Sequence, residues 1–265
     1  MFAMILAAGR GERMRPLTDT LPKPLLAVND KPLIEYHIEK LSQLPISNIV
    51  INQAWLGHLL PQHVGDGERW NVKINYSNEG DNALETAGGI KKALSLIDED
   101  YLLVVNGDVW TDFDFSALPT KLPQGILAHL ILVENPAHNP NGDFALSSSR
   151  LLSNGSEQFT FSGIAVYHRK FFDNIEEGVS ALGPLIRQQM SEGSVSGEVY
   201  TGKWFDIGTP QRLEELDAQL RTELKNGEEK IIEIPVEFES KSLNSKILWC
   251  KSNQIKIQDI GKDSK

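Results

Sequence analysis

The first 24 residues of the chain combine glycines with basic side chains in a way that suits phosphate binding. An apolar run over residues 2–7 predicts a buried β-strand, and it ends in a loop that contains Gly9 and Gly11. Glycine lets backbone N–H groups approach a ligand closely, and successive N–H groups can surround phosphate oxygens. Guanidinium and ammonium groups add fixed positive charge. The basic side chains of the segment are Arg10, Arg13, Arg15 and Lys23. The pattern predicts a site for a polyanion such as a nucleoside triphosphate, in a protein whose net charge is −10.

The residue types alone leave a second interpretation of this loop open. A basic loop that is simply exposed to solvent would carry the same side chains without binding a ligand. The loop also lacks the Gly-Lys-Ser/Thr ending of a P-loop and the third glycine of a dinucleotide-binding turn. Chemistry by itself therefore does not separate a phosphate site from an exposed surface.

Two aspartates occupy positions that suit a magnesium site. Asp108 follows an apolar run over residues 101–105, where a carboxylate has no role in packing. Asp206 lies just before a Gly-Thr-Pro sequence. Mg²⁺ prefers carboxylate oxygens together with substrate phosphates. Each aspartate also has a structural alternative: Asp108 could cap a helix, and Asp206 could belong to a turn before a helix that Thr209 caps and Pro210 begins.

Alternating strand and helix patterns organise the first part of the chain. Strands are predicted at residues 2–7, 49–51, 72–76 and 101–105, and helices at 33–41, 56–64 with an interruption at Pro61, and 86–97, where Thr86 could be the cap. This alternation indicates βαβ units and a doubly wound, mostly parallel α/β sheet. Ligands of such sheets bind beyond the carboxyl ends of the strands. The glycine loop and Asp108 are therefore expected at the same edge.

The patterns that follow are shorter and less regular. Strands are predicted at residues 127–133, 142–146 (entered through a turn), 159–161 and 163–167, and helices at 182–190 and 211–224. After Gly227 the chain changes character, and two further strands are predicted at 231–238 and 254–257. No function follows from this tail.

Composition excludes several classes of protein. An acidic chain of 265 residues can bury a core and is a poor candidate for non-specific nucleic-acid binding. Cys250 is the single cysteine, which fits a reducing compartment. The apolar start has no basic region before it and is too short for a signal peptide, and no segment approaches a membrane span. We expect a cytoplasmic protein that binds neither membranes nor nucleic acid.

The segment LAAGRGERMRPLTDTLPKPLL resembles the signature of the sugar-1-phosphate nucleotidylyltransferases. That signature is a strand, then Gly-x-Gly-x-Arg-x-x-Pro, then Pro-Lys-Pro-Leu. The resemblance implies that the loop wraps a nucleoside triphosphate, and that Arg13 and Lys23 act as catalytic residues by neutralising the phosphates being cleaved. The nucleotide-binding residues that it implies are Ala8, Gly9, Gly11, Glu12, Arg13, Lys23, Asn78 and Ala83.

The resemblance continues to about residue 220 and implies a metal site and a sugar site. Asp108 and Asp206, the latter in Trp-x-Asp-x-Gly-Thr-Pro, match the two aspartates that bind the catalytic Mg²⁺ in the family. The implied sugar-binding residues are Asn106, Gly142, Asp143, Glu157 and Lys203. An exposed turn is the structural alternative for those between 142 and 157.

One departure from the family pattern concerns the phosphate of the sugar. Thymidylyltransferases of the family carry a second lysine for this phosphate, whereas residues 153–163 contain no lysine or arginine. Lys203, beside Trp204, is the candidate replacement.

The implied activity is Mg²⁺-dependent nucleotidyl transfer between two small molecules. Within the family the likeness is greatest to the branch that transfers uridylate from UTP to N-acetyl-α-muramate 1-phosphate in bacterial cell-wall recycling. Residues 1–225 would form the catalytic domain, with a nucleotide-binding half over about 1–110 and a sugar-binding half over 111–225, and residues 226–265 an extension of unknown role. The oligomeric state stays open. Alternatives are a glucose- or mannose-1-phosphate nucleotidylyltransferase, a Rossmann oxidoreductase and a non-catalytic nucleotide-binding module.

Overall fold

The computed structural model describes residues 1–46, 48–80, 83–147, 149–152, 155 and 157–228. The chain divides into two compact units, Met1–Leu220 and Arg221–Lys265. The predicted nucleotide-binding half lies within the first unit, as does the predicted sugar-binding half up to Leu220. The strands predicted at 231–238 and 254–257 lie outside the described residues.

Strands and helices alternate at first and then give way to mainly strands. In the described part of the chain the strands are β1 (Phe2–Leu6), β2 (Ala27–Val28), β3 (Lys31–Pro32), β4 (Asn48–Gln53), β5 (Lys73–Asn78), β6 (Tyr101–Asn106), β7 (Val109–Thr111), β8 (Ala128–Val133), β9 (Phe144–Ser147), β10 (Arg150–Leu152), β11 (Gln158–His168), β12 (Val195–Tyr200) and β13 (Trp204–Asp206). The α-helices are α1 (Leu33–Ser42), α2 (Leu59–Val64), α3 (Glu85–Ala93), α4 (Leu182–Ser191) and α5 (Pro210–Glu228).

Nine of these strands form one sheet, in the order β5-β4-β1-β6-β11-β8-β12-β10-β9. The first four strands of that order pair in parallel, as the alternation of strands and helices predicts. Beyond β6 the pairing is mainly antiparallel, with β8 and β12 parallel to each other. The predicted α/β class is confirmed, and its parallel character is concentrated in the first half of the sheet.

Helices cover both faces of the sheet, so it is doubly wound. Along β1, Phe2 and Met4 face one core and Ala3 and Ile5 face the other, because successive side chains of a strand point to opposite faces. Helices α3 and α4 contribute buried side chains to the first core, and α1 and α2 to the second. The central strands are apolar on both faces for this reason.

The long strand β11 replaces the two strands predicted at 159–161 and 163–167. A register shift between Phe161 and Ile164 interrupts its pairing with β8. Gly163 lies inside this bulge with φ at +79°, a conformation that side chains other than glycine rarely adopt. The bulge thus accounts for the break in the pattern without ending the strand.

A two-stranded antiparallel ribbon, β7–β13, stands apart from the main sheet. It was not predicted, because three-residue strands carry little pattern of their own. Its stability comes from a third core, in which Trp110 and Ile207 of the ribbon region pack with Met14 and Leu216. This ribbon connects the chain around residue 108 with the chain around residue 206.

Candidate active site

The carboxyl ends of β1, β4, β5 and β6 meet at one edge of the sheet, as predicted, and form a cleft of about 330 Å³. We call it the main cleft. Its walls come from the ends of these strands, the glycine loop and the start of α3. The lining residues are Leu6, Ala7, Ala8, Gly9, Lys23, Pro24, Asn52, Glu79, Ala83, Glu85, Thr86, Asn106 and Asp108.

The glycine loop is held in shape by its own hydrogen bonds. Gly11 has φ at +66°, and a Cβ atom placed there would lie 3.0 Å from the Thr18 side chain and 3.3 Å from Lys23. The Thr18 hydroxyl donates a 2.7 Å hydrogen bond to the Gly11 carbonyl. Only a residue without a side chain fits this turn easily, so Gly11 fixes the loop rather than lining the main cleft.

Lys23 and Asp108 form an ion pair in the main cleft, with 2.5 Å between Nζ and Oδ2. The Lys23 side chain is 9% exposed, whereas Asp108 is 36% exposed. Asp108 does not cap a helix, because the chain continues directly into β7. The carboxylate is therefore available to a ligand at the open side of the cleft, while the buried lysine provides a fixed positive charge behind it.

The ribbon brings Asp206 next to Asp108 across almost a hundred residues of sequence. Asp206 pairs with Val109, and the Ile207 backbone N–H donates a 2.9 Å hydrogen bond to the Asp108 carbonyl. Thr209 accepts a hydrogen bond from the Arg212 N–H, and α5 begins at Pro210, which confirms the predicted cap and helix start. The described residues contain no group of three or more side chains suited to a metal. The backbone pairing of the ribbon places Asp206 opposite Val109, the residue that follows Asp108.

Two cationic or potentially cationic side chains contact Asp206, and a third lies beside Gly208. Arg212 Nη1 lies 2.9 Å from Asp206 Oδ2, and His138 Nε2 lies 3.1 Å from the same oxygen. The Arg13 guanidinium also reaches this place, since a Cβ atom on Gly208 would lie 3.3 Å from Arg13 Nη2. We call these four residues (Arg13, His138, Asp206, Arg212) the Asp206 cluster. His138 and Arg212 had no signal in the sequence beyond their charge.

Side chains of helix α1 form hydrogen bonds with backbone carbonyls of the ribbon and of the residues just after β7. His37 Nε2 lies 2.7 Å from the Val109 carbonyl, and Lys40 Nζ donates hydrogen bonds of 2.6 and 3.1 Å to the carbonyls of Thr111 and Phe113. His37 is fully buried, and this burial lowers its pKa to about 4. Its imidazole is therefore neutral at pH 7 and can donate its Nε2 proton to Val109. Burial also lowers the pKa of Lys40.

A buried polar network behind the glycine loop was missed by sequence reasoning. The Asn52 side chain accepts a hydrogen bond from the Ala7 N–H and donates one to Glu79, each 2.7 Å long. Glu79 in turn accepts a 2.7 Å hydrogen bond from the Leu84 N–H. Gly89 makes room for this carboxylate, since a Cβ atom there would lie 2.4 Å from it. Asn52 lies near the carboxyl end of β4 and Glu79 directly follows β5, and that position at the ligand edge was the available signal.

The predicted nucleotide-binding residues are only partly brought together. Ala8, Gly9, Lys23 and Ala83 line the main cleft, but Asn78 is exposed and its side chain accepts a hydrogen bond from Gly80. Glu12 pairs with Arg10 at 3.5 Å, and Arg10 lies over the Trp55 ring. Helix α3 begins at Glu85, so Thr86 does not cap it and instead lines the cleft.

The predicted sugar-binding residues are spread over a wider area. Asn106 lines the main cleft, and its amide packs where a Cβ atom on Gly163 would lie, 2.5 Å away. Glu157 lines a second cleft, of about 600 Å³, together with residues of the 134–141 segment. Lys203 lies opposite Asp112 at the far end of the ribbon. At the usual rise of a strand, its Cα atom is about 10 Å from that of Asp206.

Gly142 and Asp143 hold the chain that borders the second cleft. The Asp143 carboxylate accepts hydrogen bonds from the Phe161 N–H at 2.8 Å and the Asn139 amide at 3.2 Å. Gly142 has φ at +66°, and a Cβ atom there would lie within 3 Å of Asn135 and Gln158. Both residues thus have clear structural roles.

Sequence comparisons bear on this site. The nucleotidyl transferase family matches residues 2–125. An N-acetylmuramate alpha-1-phosphate uridylyltransferase of Neisseria meningitidis is 54% identical over 225 residues, covering 82% of this chain and 97% of that protein. A protein of the same name from Caulobacter vibrioides is 30% identical, covering 82% and 96%. The chain belongs to the sugar-1-phosphate nucleotidylyltransferase family. The likeness to its N-acetylmuramate branch is confirmed.

Solved structures agree on the fold of the family. A Bacillus anthracis protein described as a glucose-1-phosphate thymidylyltransferase superposes with a TM-score of 0.70 at 22% identity, covering 83% of this chain and 96% of that one. HddC from Yersinia pseudotuberculosis superposes with a TM-score of 0.66 at 20% identity, covering 83% and 99%. These likenesses confirm the expected nucleotide-diphospho-sugar transferase fold. Among the described helices, none combines the length and apolar character needed to cross a membrane.

Proposed function

We propose that this family member transfers the uridylyl group of UTP to N-acetyl-α-muramate 1-phosphate, releasing pyrophosphate. The observation that carries the proposal is the 54% identity to a uridylyltransferase of this name over nearly its whole length. The main cleft supports it, because it combines a glycine loop, a buried lysine and a carboxylate at the edge where α/β sheets bind ligands.

We further propose that the reaction requires Mg²⁺. Asp108, just before β7, and Asp206, at the end of β13, supply hard oxygen donors. Mg²⁺ is commonly held by one or two carboxylates with substrate phosphates completing its coordination. The donor set of the site fits this ion. When bound, the ion would neutralise negative charge on the reacting phosphates.

The side chains of the cleft would position and neutralise rather than attack. An oxygen of the sugar 1-phosphate forms a bond to the α-phosphorus of UTP, and the bond from that phosphorus to the oxygen bridging to the β-phosphate breaks. Lys23 and Arg13 stabilise the charge that accumulates on the departing pyrophosphate. No side-chain nucleophile is needed, so the rate depends on positioning and on preorganised charge.

The proposed preference for N-acetylmuramate 1-phosphate is based on the likeness to that branch of the family and on the volume of the second cleft. N-acetylmuramate differs from N-acetylglucosamine by a lactyl ether, which adds bulk and a carboxylate. An open cleft of about 600 Å³ beside Glu157 has room for that group. Such a permissive pocket discriminates by only about 1–3 kcal/mol, so slower turnover of N-acetylglucosamine 1-phosphate is expected. Cell-wall recycling in the cytoplasm is the proposed setting.

A pyrophosphate-release screen tests the proposal. Four nucleoside triphosphates are combined with the 1-phosphates of N-acetylmuramate, N-acetylglucosamine, glucose and mannose, with and without Mg²⁺. We expect the highest kcat/KM for UTP with N-acetylmuramate 1-phosphate, and loss of turnover when EDTA removes the metal. A preference for glucose or mannose 1-phosphate would contradict the proposed substrate. Full activity in EDTA would contradict the proposed metal.

A further inference from the structure

The Asp206 cluster gathers more positive charge than its single carboxylate balances. Arg212 Nη1 contacts both Oδ2 and the backbone carbonyl of Asp206, at 2.9 and 3.0 Å. Arg13 approaches from the glycine loop and His138 from the 134–143 segment. Because guanidinium groups stay charged at any physiological pH, two arginines against one aspartate leave at least one positive charge in excess.

Gly208 is what allows the two guanidinium groups to approach the same point. A Cβ atom on this residue would lie 2.7 Å from Arg212 Nη2 and 3.3 Å from Arg13 Nη2. Like charges that converge on one point repel each other unless an anion lies between them. The Asp206 carboxylate is one such anion, and a bound ligand can supply a second.

The position of the Asp206 cluster indicates which ligand would supply the second anion. On one side is the glycine loop with Arg13, and on the other is the chain segment that contains His138 and borders the second cleft. The buried Lys23 serves the main cleft. The sugar half lacks a lysine or arginine at residues 153–163, and the Lys203 backbone lies at the far end of the ribbon. Through Arg13 the Asp206 cluster adjoins the glycine loop, and through His138 it adjoins the segment that borders the second cleft.

We infer that Arg212, assisted by His138, binds the phosphate of the sugar 1-phosphate beside Asp206, in place of Lys203. This inference rests on the proposed function, since it assigns a role within that reaction. Guanidinium donors match phosphate oxygens in pairs, which suits a group that must be oriented for in-line attack. His138, 36% exposed, contributes a further hydrogen bond from the open side.

The test compares Arg212→Gln with wild-type enzyme. We expect the KM for N-acetylmuramate 1-phosphate to rise at least tenfold while the KM for UTP changes less than twofold. Arg212→Lys should recover part of the loss, and His138→Gln should raise the same KM about threefold. Arg69→Gln is the matched control, because Arg69 is an exposed arginine whose contacts are with Glu35 and the Trp70 ring and not with residues of the cluster.

Two further arms separate this inference from its rivals. N-acetylglucosamine 1-phosphate, as a substrate or competitive inhibitor, lacks the lactyl carboxylate, so an equal loss of affinity in Arg212→Gln supports phosphate binding. A loss confined to the muramate compound would assign Arg212 to the carboxylate and overturn the inference. Equal rises in both KM values with a lower melting temperature would also overturn it, by showing that Arg212 only supports α5.

Direct binding distinguishes a failure of this inference from a failure of the proposed function. Calorimetric titration of the wild type and of Arg212→Gln with N-acetylmuramate 1-phosphate requires no turnover. Weaker binding by the variant would support the anion site even if no uridylyl transfer were found. Unchanged binding would overturn the inference even if the enzyme were active.

Discussion

The first four parallel strands and the antiparallel strands beyond β6 serve the site in different ways. In the parallel half, every strand ends at the same edge, so the residues that follow β1, β4, β5 and β6 must meet there. In the other half most neighbouring strands are antiparallel and end at opposite edges, with β8 and β12 as the exception. Its candidate residues reach the site through loops or not at all. We therefore expect the phosphate chemistry to depend on the strand ends of the parallel half, and the sugar contacts to depend on local loop structure.

The largest expected effect is that of Asp108→Asn in the parallel half. The change keeps the shape of the side chain but removes the charge that faces Lys23 and the proposed metal. We expect kcat to fall about 100-fold or more with a normal circular dichroism spectrum, as is typical for loss of a group that stabilises transition-state charge. Asp98→Asn, at an exposed aspartate before β6, is the control. Near-normal turnover at saturating Mg²⁺ would show that the phosphate chemistry does not depend on this residue of the parallel half.

Lys23→Met should come next in size. The methionine retains the buried part of the side chain and loses only the ammonium group, which lies 2.5 Å from Asp108. We expect kcat to fall about 30- to 100-fold while the melting temperature changes by a few degrees, since charge rather than packing is lost. Thermal unfolding and steady-state rates are measured on the same preparation. A large loss of stability with retained turnover would assign Lys23 to the fold instead.

His37 should make stability depend on pH. Its pKa is lowered from 6.5 to about 4 in the folded protein, so the folded state disfavours the proton. Its contribution to the free energy of unfolding is fully present above pH 6.5 and is lost as the pH falls towards 4. The total loss is about 3 kcal/mol. Urea unfolding of wild type and His37→Gln at pH 7, 6, 5 and 4 measures the difference. Parallel pH profiles for the two proteins would contradict a buried neutral imidazole under the ribbon.

The smallest expected effect comes from the antiparallel half. Asp143→Ala leaves the Phe161 N–H without its carboxylate acceptor, which should lower the free energy of unfolding by about 1–2 kcal/mol. The KM for the sugar phosphate should rise only a few-fold. If the KM rose more than tenfold with unchanged stability, Asp143 would contact the sugar itself. The parallel and antiparallel halves would then differ less in their roles.

The sequence predicted those parts of the site that a general rule of topology places. Apolar runs predict buried strands, and the rule that ligands bind at carboxyl ends then brings the glycine loop and Asp108 to one edge. The meeting of Asp108 with Asp206 needed the resemblance to a known family, because the ribbon that joins them has strands of only three residues. Its stability comes from contacts between distant residues such as Met14 and Ile207, which no local pattern reveals.

Other parts of the site depend on contacts between side chains and could not be predicted. His37 lies within an apolar helical stripe, and its bond to Val109 becomes visible only when α1 packs under the ribbon. Glu79 looks like a loop residue, yet it is buried and supports the start of α3. Thr86 fitted the pattern of a helix cap, but the helix begins one residue earlier. In each case tertiary packing decides the role of a polar residue.

In the proposed reaction an oxygen of the sugar 1-phosphate attacks the α-phosphorus of UTP in the main cleft. Its most direct test is a single turnover with Mg²⁺, UTP and N-acetylmuramate 1-phosphate that carries ¹⁸O in its phosphate group, followed by mass spectrometry of the products. We expect all of the label in UDP-N-acetylmuramate and none in pyrophosphate. Label in the pyrophosphate, or release of UMP without a nucleotide sugar, would contradict this mechanism.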